Sequence, residues 1–201
     1  EQVEPLGNGS LEVSWALQPR GCEAADVDEV EIRLRNAHRE YKSRFDCTAG
    51  SGRLDQLAAA NYDLVAVGLD GSGHETFTSD TRRVTVAGER VKSVDRLDLS
   101  AKPATLRVSW RFANSKVCGA NGVDEVEVAL FDDAYYEVAR RTFACDDGYG
   151  VIEEVRAGHY TVEAIAEAGE SDVFHGITET SLKRGDQGQT EVLLGESSDA
   201  P

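Results

Sequence analysis

The sequence has no methionine and opens on Glu1. It reads as a mature or trimmed chain, so the lack of a signal peptide carries no information about export. Basic residues are scarce: 21 Lys and Arg stand against 37 Asp and Glu, a formal charge of -16. That shortage argues against binding nucleic acid through its phosphates, which takes concentrated Lys and Arg. The acidity suits solubility, cationic partners or divalent ions. No apolar run approaches the ~18 residues of a membrane-spanning helix. Closely spaced cysteine pairs of the zinc-binding kind are missing, as is a Gly-x-Ser-x-Gly nucleophile elbow. Gly50-Ser51-Gly52-Arg53 and Gly71-Ser72-Gly73 lack the glycine spacing and the following lysine of a phosphate loop. His38, His74, His159 and His175 form no metal-binding pattern and read as surface or turn residues. These gaps point away from an enzyme.

What is present is an internal repeat. Leu11-Glu-Val-Ser-Trp15 recurs as Leu106-Arg-Val-Ser-Trp110, and Val27-Asp-Glu-Val-Glu-Ile32 as Val123-Asp-Glu-Val-Glu-Val128. Phe45-Asp-Cys47 corresponds to Phe143-Ala-Cys145, and Tyr62 to Tyr160. The tryptophans, cysteines and central tyrosines keep their order, so the chain is two copies of one unit. Expected boundaries are a loose segment 1–10, one domain over 11–100, a second over 104–195 and a tail over 196–201.

Each copy patterns as β-structure. Leu106, Val108, Trp110 and Phe112 alternate with polar residues, as do Val30, Ile32 and Leu34, and Val126, Val128 and Leu130. Arg53–Ala60 has some helical character, but its counterpart Tyr149–Val155 is β-like, so it reads as strand or irregular. The expected fold is all-β: two tandem seven-stranded antiparallel β-sandwich domains, because half-wet sheets must pair to bury their apolar faces. Trp15 and Trp110, at one place in each copy, are core plugs.

Four cysteines allow three pairings, and the duplication favours Cys22–Cys47 and Cys118–Cys145, one staple inside each copy. Disulfides imply an oxidising compartment: periplasm, cell surface or medium. Asn8-Gly9-Ser10 is a formal glycosylation triplet.

Candidate functional residues are few. Glu29 and Glu31, with Glu125 and Glu127, belong on the solvent face of a strand. Asp132, Asp133, Asp146 and Asp147 lie in or beside turns, and Asp26 and Asp28 flank a strand start. These carboxylates are weak candidates for calcium, though no EF-hand spacing exists; no other cofactor is implied. Tyr135 and Tyr136, adjacent on an expected strand, point to opposite faces, so one faces outward to stack on a sugar or anchor a protein. A lone Tyr41 is their expected counterpart in the first copy.

The run Gly158-His-Tyr160-Thr-Val162-Glu-Ala164 closes the comparison. With the strand order around it, it resembles the carboxypeptidase regulatory-like, or transthyretin-like (prealbumin-like), β-sandwiches, whose signature is Gly-x-Tyr-x-Val-x-Ala. The first copy keeps Tyr62, Leu64 and Ala66 but has Ala60 for the glycine. The resemblance implies a non-catalytic structural or protein-interaction module of a secreted or surface protein, often bacterial. A protein or envelope component is then the expected partner ahead of a glycan. A carbohydrate-binding module, with or without calcium, is the alternative.

Overall fold

The structure, a computed structural model, describes residues 8–168 and 172–196. The chain divides into two compact units, Glu1–Lys102 and Pro103–Pro201. The first unit contains β1 (Gly9–Leu17), a one-turn helix α1 (Gly21–Ala25), β2 (Glu29–Arg35), β3 (Glu40–Asp46) and β4 (Ser51–Leu57). It continues with β5 (Ala60–Leu69), β6 (Glu75–Ser79), β7 (Arg82–Val86) and β8 (Val91–Ala101). The second unit contains β9 (Ala104–Phe112), β10 (Val123–Phe131), β11 (Glu137–Ala144) and β12 (Tyr149–Val155). It ends with β13 (Gly158–Ala168), β14 (Asp172–Leu182) and β15 (Gln187–Glu196). Of the ambiguous stretch Arg53–Ala60, Arg53 to Leu57 lie in strand β4, Ala58 and Ala59 are irregular, and Ala60 opens β5. Gly9 and Ser10, expected in a loose leader, already belong to β1, where the buried Ser10 hydroxyl donates to Asp55. Glu196, expected in the tail, closes β15.

In the second unit β11-β10-β13-β14 form one sheet and β15-β9-β12 the other. The two meet along one side through β14 and β15, paired only at Phe174↔Glu196 and His175↔Gly195. Inward residues of both sheets make one core, including Leu106, Val108, Val126, Val128, Tyr160 and Val162. The first unit has the same layout and its own core around Leu11, Val13, Ile32, Tyr62 and Leu64. Among the described residues it has eight strands rather than seven, because the equivalent of β14 is broken into β6 and β7. The Ser79 hydroxyl accepts the Ala66 N–H that a continuous ladder would occupy. β6 pairs with the end of β5, over Val67–Leu69, and with β8 on its other edge, while β7 pairs with β5 over Ala60–Leu64.

The sheets are mixed, which corrects the purely antiparallel expectation. β1 runs parallel to β8, and β9 parallel to β15. In a unit of seven alternating strands, first and last point the same way, and here they lie side by side.

Both disulfides form as the duplication favoured, Cys22–Cys47 and Cys118–Cys145, with no free cysteine. The tryptophan beside each staple is buried, and its indole N–H donates to the carbonyl of the second cysteine, at 3.0 Å for Trp15 and 3.1 Å for Trp110. Each indole also packs on a β3 or β11 ring, Phe45 or Phe143. Each central tyrosine sends its hydroxyl back four residues, Tyr62 to Ala58 O and Tyr160 to Arg156 O. A polar group carried into the core by these large side chains is thus satisfied.

Candidate functional site

Glu31 is not on a solvated face, as its alternation in β2 implied. Only 5% of it is exposed, because it lies under two guanidinium groups, Arg33 at 2.6 Å and Arg44 at 2.8 Å. Arg33 also reaches Glu75 at 2.7 Å, and Lys102 binds the same Glu75 at 2.9 Å. This ladder of alternating charge crosses the outer face of the first unit, where Val67, opposite Glu31, is 3% exposed. Burial alone would push the Glu31 carboxyl up, but hydrogen bonds from Arg44 and Arg33 outweigh it and hold it below the usual range. Arg33 and Lys102 lower Glu75 in the same sense. Because both carboxyls are depressed in the folded state, their stabilisation is complete above the ordinary glutamate range. It is lost as the pH falls through that range and below. Urea midpoints measured against pH should therefore fall on the acid side, and less steeply in Glu31→Gln. An acid limb unchanged in that variant would contradict the assignment.

Tyr135 and Tyr136 do not lie on a strand. They occupy the loop between β10 and β11, and both are exposed, at 77% and 72%. The Asp132 carboxylate accepts the backbone N–H groups of Ala134 and Tyr136, and the Asp132 N–H donates to Tyr136 O. The first copy builds the same turn one residue shorter, with Asn36 accepting from His38 and Arg39. The extra residue is accommodated by Tyr135 in the left-handed region, at φ 59°. A bulky side chain seldom occupies that region. The structural counterpart of Tyr41 is not this pair but Ala139, since Leu34 faces Tyr41 and Leu130 faces Ala139 across their hairpins.

Around the tyrosine loop, Asp133 holds His159 Nδ1 at 3.1 Å, and Glu179 lies 3.8 Å from His159 Nε2. His159 is exposed, His38 is exposed, and His175 is half-buried against Glu163 at 2.8 Å. Asp146 and Asp147 are in a 3-10 turn, Cys145–Asp147, after β11. Asp132 is engaged in its own turn, so the four aspartates fall into two separate places. Among the described residues, no three His, Cys, Asp or Glu side chains are grouped to hold a metal ion. No described helix is long and apolar enough to cross a membrane.

The sequence reading missed one repeated feature at the staple. Cys47-Thr-Ala-Gly50-Ser-Gly52 and Cys145-Asp-Asp-Gly148-Tyr-Gly150 share the spacing Cys-x-x-Gly-x-Gly. The first glycine of each closes the 3-10 turn at positive φ, 66° and 70°. The second lies under the aromatic ring of β3 or β11. A Cβ on Gly52 would sit 2.6 Å from Phe45, and one on Gly150 would run into Phe143. Comparing the two copies glycine by glycine would have exposed the pattern.

The fold defines a class: a tandem protein of disulfide-stapled, mixed-sheet β-sandwich units. No protein-family model matches the chain, and no curated protein does. Among solved structures it is similar to the Bacillus anthracis TIE protein, with 12% identity and a TM-score of 0.43. That match covers 94% of this chain but 34% of the other. It is also similar to a minor pilin of Streptococcus agalactiae, with 8% identity, a TM-score of 0.37 and coverage of 96% and 98%. A C-terminal fragment of the pilus adhesin SpaC from Lactobacillus rhamnosus GG shares 12% identity at a TM-score of 0.31, covering 97% of this chain and 99% of the fragment.

Proposed function

We propose that this chain is a non-catalytic interaction module of a secreted or cell-surface protein, and that the β10–β11 loop of its second unit is a contact point. The observation that carries the reading is the loop itself. Two copies that keep the same staple, tryptophan anchor and tyrosine differ here by one inserted residue. The insertion presents Tyr135 and Tyr136 almost fully to solvent. Tyrosine supplies large contact area with few rotors to freeze, which suits it to recognition. The two disulfides support an oxidising compartment. The transthyretin-like strand pattern around Tyr160 supports the same class of module, and a protein or envelope component is the partner we favour.

A sugar-binding reading has its own support. The loop that carries the exposed rings also carries Asp133, which contacts His159, with Glu179 on the other side of the imidazole, polar groups able to hydrogen-bond hydroxyls. Both readings are tested by probing the purified protein against a glycan array and against an isolated envelope fraction, with and without EDTA. In Tyr135→Ser/Tyr136→Ser, binding should fall about tenfold or more, as for loss of an aromatic anchor, with the melting temperature unchanged. Array binding lost with EDTA would favour the calcium-assisted sugar module. Binding indifferent to the double substitution would remove the loop from the proposal.

A further inference from the structure

The outer faces of the two units differ where their cores agree. In the first unit the outer sheet face is closed over by the ladder Arg44–Glu31–Arg33–Glu75–Lys102. In the second unit Ala129 stands at the position of Arg33, and the ladder shrinks to Arg140 between Glu127 and Glu137 and to His175 on Glu163. Register places Ile165 between Glu127 and His175, Ile177 beside Glu163, and Val173 beside Glu167, all on the outer face. Ile177 is 59% exposed and Val173 37%, whereas Val67, the counterpart of Ile165, is 3% exposed. A sheet face that leaves Ile177 and Val173 open beside a half-buried Ile165 marks a surface that another molecule covers.

The charge around this patch specifies what kind of molecule. Beside Ile165 lies a hollow of about 570 Å³, walled by Asp124, Glu125, Glu127 and Glu167. Arg140 is held by Glu127 and Glu137, and His175 by Glu163. Among the described residues, no cation is paired with Asp124, Glu125 or Glu167. The excess is concentrated in this unit: Pro103–Pro201 carries 19 acidic against 8 basic residues, and Glu1–Lys102 carries 18 against 13.

We propose that the outer face of the β11-β10-β13-β14 sheet docks a protein surface of opposite design, with exposed aliphatic side chains ringed by Lys or Arg. The proposal rests on the interaction-module reading and assigns it a second surface, separate from the tyrosine loop. Apolar contact at Ile165, Ile177 and Val173 supplies the affinity. The unpaired carboxylates select cationic partners and speed encounter. A second copy of the same face is disfavoured, because it would set carboxylate against carboxylate.

The test uses the full isotope-labelled chain and three matched peptides: amphipathic Lys/Leu, Lys/Ser without apolar residues, and Glu/Leu. Lys/Leu should shift the amide signals of residues 163–167 and 173–179, and bind more weakly as salt is raised. Ile165→Thr/Ile177→Thr keeps the strand-favouring branch, and should weaken Lys/Leu binding about tenfold or more through lost apolar burial. Glu125→Gln/Glu167→Gln should weaken it while leaving the apolar centre intact. Shifts elsewhere, equal binding of Lys/Ser, an indifferent isoleucine variant, or concentration-dependent self-association through this face would each overturn the proposal. Tyr135→Ser/Tyr136→Ser should leave peptide binding unchanged. Failure on envelope components alone therefore counts against the proposed function, and failure of the mapped peptide binding counts against this face.

Discussion

Replacing Cys118 and Cys145 with alanine is expected to give the largest single loss of stability in this protein. The staple closes a loop with a sequence separation of 27 residues. Chain-entropy arguments put the constraint on the unfolded state at about 3–4 kcal/mol. For a unit of this size that corresponds to a fall in melting temperature of roughly 15–25 °C. The native state contributes as well. The Cys145 carbonyl receives the Trp110 indole N–H, so a loosened turn exposes a buried donor. Thermal unfolding with and without reductant, repeated on Cys22→Ala/Cys47→Ala, measures both staples. A melting temperature indifferent to reduction would sink the argument that the staples hold these small cores together.

Gly150→Ala should be nearly as damaging, although it adds one methyl group to a strand. The Gly150 backbone is not at positive φ, so alanine is conformationally allowed there. Limiting the unfolded chain would by itself stabilise by about 0.4–1 kcal/mol. Against this stands the Phe143 ring, which occupies the space of the new Cβ and is itself stacked on Trp110. Overpacking of this kind costs about 1–3 kcal/mol, and the rigid ring and its tryptophan backing favour the upper end. The clash wins, and the variant is destabilised. Phe143→Leu should relieve it, so the double variant should be less unstable than the sum of the two single changes. A coupling of about 1 kcal/mol or more in the double-mutant cycle is the expected signature. Strict additivity would show that glycine is needed there for some other reason. Gly52→Ala against Phe45 repeats the experiment in the first unit.

The amino-acid sequence by itself determined the duplication, the strand-rich class, the pairing of the cysteines and the burial of both tryptophans. Period-two alternation is a local signal, and a repeated unit checks each assignment against its twin. Direction of pairing was not local. Whether β9 meets β15 parallel depends on which strands become neighbours, and only the closed fold decides that. Glu31 shows the same limit for a single residue. Its position in β2 is outward, as alternation required, yet arginines arriving from its own strand and from β3 bury it. Tyr135 and Tyr136 failed for a different reason. They lie in the hairpin turn that both copies build, held here by Asp132 and lengthened by one residue, so both rings went to solvent. The uncovered face at Ile165 and Ile177 was also invisible in the sequence. Val67 and Ile165 both follow the strand pattern, and how far each is covered depends on the side chains that neighbouring strands bring beside it, Glu31 with its two arginines in one unit and Glu127 and His175 in the other.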